Sequence, residues 1–102
     1  MTENGVVIDE IRLAALCQKW RIQRLAMFGS ILCEDFRSDS DVDLLVEFVP
    51  DAPWSLYDLV DLRSSLAEMF DRKVDLVESN AIRNPYRRRS ILSSQKVIYD
   101  AA

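Results

Sequence analysis

Apolar residues at Leu13, Leu16, Cys17 and Trp20 recur at i, i+3, i+4 and i+7, the spacing of one helical face, and predict a first amphipathic helix from about residue 7 to 20. The short apolar run Arg24-Leu25-Ala26-Met27-Phe28, stopped by Gly29, reads as a buried strand. Ser30 then opens a short helical turn through Glu34, with Cys33 standing where the acidic partner of a capping box would be. Val42 to Phe48 forms a second strand, and its successive apolar residues Leu44, Leu45 and Val46 require cover on both faces over its far half. Pro50 and Pro53 end it. Leu56, Leu59, Val60, Leu66, Ala67 and Phe70 keep helical spacing, and Ser55 with Asp58 three residues on makes a capping box for this longer helix. A polar turn at Asp71 to Lys73 leads into a third strand, Val74-Asp75-Leu76-Val77. Asn84-Pro85 is the pattern of an N-cap followed by proline at the first helical position, and opens a basic helix of about residues 85 to 94. Lys96 to Tyr99 adds a short strand. With no internal repeat, low-complexity tract or flexible linker, residues 1–102 are expected to form one compact α/β domain.

Composition narrows what such a domain can do. At 102 residues and 49% hydrophobic composition it can build one core, and whatever it binds must sit at its surface. No apolar run approaches 18 residues, and Met1-Thr2-Glu3-Asn4-Gly5 lacks the basic start of a signal peptide, so a cytoplasmic protein with no membrane association is expected. The sequence holds no histidine, and Cys17 and Cys33 make no CxxC pair, which removes His-based general base catalysis, Cys-His chemistry and ordinary zinc hydrolysis. Cys17 falls on the apolar helix stripe and reads as a small buried hydrophobe. A net charge of -4 argues against general nucleic-acid binding, which needs a basic surface to neutralise phosphates.

The chemistry concentrates in Gly29-Ser30, ten intervening residues, and Asp41-Val42-Asp43. Side chains on a strand alternate between faces, so Asp41 and Asp43 point one way while Val42 and Leu44 enter the opposite layer. Two such carboxylates can share divalent cations, and magnesium is usually held by one or two carboxylates together with substrate phosphates. Asp75, the lone charge in an apolar strand, is the candidate for a third ligand in a two-metal site, with one metal activating an attacking hydroxyl and the other holding a triphosphate. Gly29 lets the backbone turn sharply and bring its N–H groups to a phosphate, Ser30 adds a hydroxyl, and the turn that follows presents its positive end. Taken singly, Gly-Ser after a strand is a plain turn and Asp39-Ser40-Asp41 a solvated loop. Together they demand a reason, because an acidic pair opening an apolar strand lowers stability unless a positive group compensates it. Arg83, Arg87, Arg88 and Arg89 surround Tyr86 and form either a solvated helix face or a clamp for phosphate or an acidic partner. Trp54 and Tyr57 read as core edges, and Glu47, farther along the strand, as peripheral.

From about Arg24 to Tyr99 the chain resembles the minimal nucleotidyltransferases, the small antitoxin partners of HEPN-domain ribonuclease toxins within the polymerase-β-like nucleotidyltransferase superfamily. The resemblance is carried by Met27-Phe28-Gly29-Ser30, by the run Asp35-Phe36-Arg37-Ser38-Asp39-Ser40-Asp41-Val42-Asp43-Leu44-Leu45-Val46-Glu47-Phe48, by Arg72-Lys73-Val74-Asp75-Leu76-Val77, and by the ending from Ile91 through Val97-Ile98-Tyr99. It implies a polymerase-β-like α+β fold, with a small mixed β-sheet flanked by helices. It also implies a type VII antitoxin that transfers AMP from ATP to a tyrosine of the HEPN toxin and so silences it. Gly29 and Ser30 would then bind the triphosphate, Asp41 and Asp43 both Mg²⁺ ions, and Asp75 the nucleophile-side ion. The chain departs from the family habit in two places. Ile31, Leu32 and Cys33 are uncharged where many relatives carry a basic residue, leaving Arg37 or the C-terminal arginines for that phosphate contact, and Asp71 stands where a turn glycine is common. The alternatives are a binding module that masks the toxin's RNase site without catalysis, and an aminoglycoside-like small-molecule nucleotidyltransferase. The chain is short for the acceptor pocket that the latter needs.

Overall fold

The computed structural model describes residues 1–37 and 39–101, so Ser38 of the motif run lies outside the described residues. A short hairpin, β1 (Thr2–Glu3) and β2 (Val6–Val7), precedes α1 (Glu10–Lys19), β3 (Ile22–Phe28) and a 3₁₀ turn at Gly29–Leu32. Then come β4 (Val42–Phe48), α2 (Leu56–Phe70), β5 (Val74–Glu78), a second 3₁₀ turn at Ser79–Ala81, α3 (Pro85–Ser94) and β6 (Lys96–Asp100). The larger sheet has the order β5-β4-β3-β6; β4 and β5 run parallel and the other neighbours antiparallel. This is the small mixed sheet flanked by helices that the family resemblance implies.

The alternation along β4 divides the molecule into layers. Val42, Leu44 and Val46 are buried on the face covered by α1 and α2, in a core with Leu13, Cys17, Leu25, Met27, Leu62, Leu66 and Phe70. Leu45 points the other way, into a smaller cluster with Phe28, Ile82 and Ile91 of α3. Both faces of the sheet are thus covered along its middle, and the side of β4 that carries Asp43 and Leu45 is the side on which α3 lies.

Local signals set most boundaries. Ser55 and Asp58 form the reciprocal capping box of α2, and the Asn84 side chain accepts from the Tyr86 and Arg87 N–H groups ahead of α3. Helix α1 starts at Glu10, three residues later than the spacing suggests. Asp9 caps it, accepting from the Ile11 and Arg12 N–H groups at 3.1 Å each, and Val6–Val7 are already committed to β2. That hairpin turns on Asn4 and Gly5, at φ 50° and 84°, the pair of left-handed residues a two-residue hairpin turn requires.

Helix α2 departs further from expectation. Leu62, Leu66 and Phe70 are buried, but Leu56 and Val60, which share the helical spacing, are 80% and 49% exposed, and Tyr57 is fully in solvent rather than at a core edge. The first half of α2 stands off the sheet, where Leu56, Leu59 and Val60 line an open cleft of about 260 Å³ with Val46, Leu76 and Glu78. Trp54 does sit at the core's edge. Its ring lies 4.8 Å from that of Trp20, and its Nε1 donates to the Trp20 carbonyl at 2.7 Å. Glu47 faces Arg24 across the β3–β4 pair at 3.8 Å, a peripheral position as expected.

At the end of α2, Asp71 takes the left-handed conformation, φ 54° and ψ 42°, and its N–H closes the helix on Ala67 and Glu68. Glycine adopts that conformation without a Cβ penalty, which accounts for the turn glycine expected at this position. Asp71→Gly is expected to stabilise the protein by about 0.5–1 kcal/mol, read as a rise of roughly 2–6 °C in thermal midpoint.

Candidate functional site

Chain direction brings the site together at one rim of the sheet. β3 ends at Phe28, and the chain turns at Gly29 with φ 73°. β4 begins beside that turn, so Phe28 is the cross-strand partner of Asp43. β5 runs parallel to β4 in a register that sets Val42 opposite Val74 and Asp43 opposite Asp75. The Gly-Ser turn, Asp41, Asp43 and Asp75 therefore meet at the same end of three adjacent strands, although they are spread over 47 residues, from 29 to 75, of the sequence.

Gly29 is required here for two separate reasons. Its positive φ disfavours any L side chain. A Cβ added to it would also lie 3.2 Å from the Asp43 Cγ and inside the van der Waals envelope of Asp43 Oδ2. The absence of a side chain is what lets the carboxylate press against the backbone of the turn. Next door, the Ser30 backbone N–H donates to the Asp43 carboxylate, and the Ser30 hydroxyl reaches the Asp41 carbonyl at 3.4 Å. The hinge, the Asp43 carboxylate and the Asp41 backbone form one hydrogen-bonded unit.

The Asp43 carboxyl titrates above its ordinary range. Burial is the main cause, and the negative charge of Asp75 adds to it; the Ser30 N–H pulls the other way, Asp41 raises it further, and the Arg87 charge lowers it. Neighbouring carboxylates that repel one another in a partly desolvated place are a fitting donor set for a hard divalent cation. Among the described residues no three acidic, thiol or imidazole side chains converge as a ready-made cage for one ion. Asp41 and Asp75 instead line an open cleft of about 390 Å³ together with Arg63, Ser64, Lys73 and Val74.

Two supports of this rim were not legible as such in the sequence. Arg72 holds the segment that leads into Asp41: its Nη1 donates to the Arg37 and Ser40 carbonyls at 2.9 and 3.0 Å, and its guanidinium lies 4.6 Å over the Phe36 ring. Asn4, from the N-terminal hairpin, donates through Nδ2 to the Ile31 and Cys33 carbonyls at 2.8 and 2.7 Å, bracing the 3₁₀ turn behind Ser30. Of the C-terminal arginines, Arg88 has a structural task, donating to the Ser79 carbonyl at 2.5 Å. Cys17 is fully buried, and burial pushes its thiol up to about 12, in keeping with an inert core position.

The sequence pattern that defines the nucleotidyltransferase domain matches residues 10–98, which span this whole rim. The chain belongs to the nucleotidyltransferase domain family. This nucleotidyltransferase is 37% identical over 76 residues, 74% of its length and 76% of the relative's, to a Methanocaldococcus jannaschii protein provisionally named protein adenylyltransferase. It is 30% identical over 69 residues, 68% of each protein, to the protein adenylyltransferase MntA of Thermococcus cleftensis. Its fold is similar to those of solved toxin–antitoxin complexes. One crystallised with AMP-PNP matches at a TM-score of 0.72 and 20% identity, over 91% of this chain and 74% of that one. Another, a tri-AMPylated Shewanella oneidensis HEPN toxin with its minimal nucleotidyltransferase antitoxin, matches at 0.62 and 20% identity, over 89% and 69%. Among the described residues no helix is long and apolar enough to cross a membrane.

Proposed function

We propose that this nucleotidyltransferase is a Mg²⁺-dependent protein adenylyltransferase of the cytoplasm, the antitoxin of a type VII pair, which moves AMP from ATP to a tyrosine hydroxyl of a HEPN-domain RNase toxin and so inactivates it. The observation that carries the reading is the convergence of Asp43, Asp75 and the Gly29–Ser30 turn at one sheet rim, in a chain whose relatives are named protein adenylyltransferases. The exposed apolar residues Leu56, Tyr57 and Val60 add support for a protein acceptor, since exposed apolar patches mark interaction surfaces.

Asp41, Asp43 and Asp75 would hold two magnesium ions. When bound, these would supply charge neutralisation for the phosphates and a lowered pKa for the acceptor hydroxyl. The residues of the chain do the positioning. The Gly29–Ser30 turn, which has no side chain at Gly29, would present its backbone to the phosphates beside the Asp43 carboxylate. The Ser30 N–H fixes the Asp43 carboxylate, and the parallel β4–β5 register holds Asp75 opposite it. The acceptor hydroxyl attacks the α-phosphorus; the new P–O bond forms as the bond to pyrophosphate breaks, and the hydroxyl proton passes toward the carboxylate at Asp75.

The test is the mass of a purified cognate HEPN toxin after incubation with the protein, ATP and Mg²⁺. An increment of one adenylyl group or more, located on tyrosine and absent with the Asp41→Asn, Asp43→Asn variant, is expected. An unmodified toxin, with growth rescued equally by that variant, would establish masking without catalysis instead.

A further inference from the structure

We propose that Arg87 grips the phosphate chain of the nucleotide from the side of the cleft opposite the Gly29–Ser30 turn, an assignment that rests on the adenylyl-transfer reading above.

The argument begins with the face of α3. Ile91 is buried against Phe28 and Leu45, on the side of the sheet that carries Asp43. Arg87 lies four residues earlier on the same helix, so it shares the face of Ile91 and stands one turn farther toward the helix N-terminus. Phe28 is the residue beside Asp43 in the β3–β4 ladder, so packing Ile91 on Phe28 brings that turn of α3 over the carboxylate rim. The Arg87 charge is felt at the Asp43 carboxylate.

The neighbouring arginines do other things. Arg88 is bound to Ser79 through both its terminal nitrogens. Arg89 is turned away from the face of Ile91, toward a surface shared with Pro85, Leu92 and Ser93. Arg87 is exposed, and among the described residues its guanidinium makes no hydrogen bond or salt bridge. It is a cation whose charge reaches the Asp43 carboxylate without a hydrogen bond to it. A triphosphate entering between the Gly-Ser turn and this helix would carry its own negative charge into an acidic rim. A guanidinium fork there provides directed donors to phosphate oxygens that a bare acidic rim lacks.

Equilibrium titration of the full chain with a non-hydrolysable ATP analogue in Mg²⁺ tests this, alongside the same titration with AMP and the steady-state adenylylation of the toxin. Arg87→Ala is expected to weaken the triphosphate about 10- to 100-fold, the usual cost of a lost charge-assisted contact. It is also expected to raise KM for ATP more than it lowers kcat and to leave AMP binding unchanged, with Arg87→Lys recovering part of the loss. Arg89→Ala serves as the control and should behave as wild type. Unchanged triphosphate affinity in Arg87→Ala overturns the assignment, as does a loss that merely follows a lowered thermal midpoint or is shared equally by Arg89→Ala. A wild-type protein that binds no adenine nucleotide would overturn the adenylyl-transfer reading and this assignment with it, whereas equal binding by wild type and Arg87→Ala overturns the role of Arg87 alone.

Discussion

Asp43→Asn is expected to lower nucleotidyl transfer by at least about a thousandfold, a loss of roughly 4 kcal/mol of transition-state stabilisation, while leaving the folded protein as stable as the wild type or more so. The two effects separate because, in the proposed function, Asp43 serves chemistry at the expense of folding. Its carboxyl is raised by burial and then by the charge of Asp75. An acid whose folded pKa exceeds its unfolded value favours folding when protonated; that contribution is complete below the ordinary carboxylate range and is lost as pH rises through the raised value. At neutral pH the ionised group therefore opposes folding. Asparagine removes the charge and keeps an oxygen that can accept from the Ser30 N–H. Thermal melts across pH 4–8 should show the wild type gaining on Asp43→Asn as pH falls. Millimolar Mg²⁺ should raise the midpoint of the wild type and leave that of the variant where it was. A variant clearly less stable than wild type at pH 7 would contradict the electrostatic account.

Gly29→Ala is expected to damage both stability and activity, by about 2–4 kcal/mol of folding free energy from left-handed strain and overpacking together. At φ 73° an alanine is strained in any surroundings, and here its methyl group would strike the Asp43 carboxylate. Either the turn moves away from β4 or the carboxylate leaves its position, and both outcomes dismantle the site. The two causes can be told apart with a double-mutant cycle. Asp43→Ala relieves the collision and not the backbone strain, so Gly29→Ala should cost about 1–3 kcal/mol less in that background. Equal costs in both backgrounds, measured by chemical denaturation, would show that the collision contributes nothing.

Much of the architecture was legible because it is set locally. The Ser55–Asp58 box, the Asn84-Pro85 start and the apolar run of β4 act within one turn or one strand, and each lies where the pattern places it. The hairpin at Asn4-Gly5 carried an equally local signal, a two-residue Asn-Gly turn between short β-capable pairs. The helical spacing that follows extends backward over Val6–Val7 and masks it. The exposed flank of α2 was not legible at all, because the spacing of Leu56 and Val60 cannot reveal that the helix stands off the sheet there. For the candidate site, the residue types follow from sequence alone; the shared strand face expected of Asp41 and Asp43 does not, because β4 begins at Val42 and Asp41 stands just ahead of it. That Asp75 lies opposite Asp43 depends on a parallel register formed after a 15-residue helix. That Gly29 touches Asp43 depends on how closely two antiparallel strands approach at their ends.

The strand order also bears on the timing of synthesis. β3, made early, lies between β4 and β6, and β6 leaves the ribosome after every other strand of that sheet. Until then one backbone edge of β3 has no partner, and the far end of α3, joined directly to β6 through Gln95, is held by the packing of Ile91 without a strand to follow it. A nascent chain can thus carry every carboxylate of the rim and still lack a fixed roof over it. Competence to grip a nucleotide should appear abruptly, when residues 96–100 clear the exit tunnel, rather than grow with chain length.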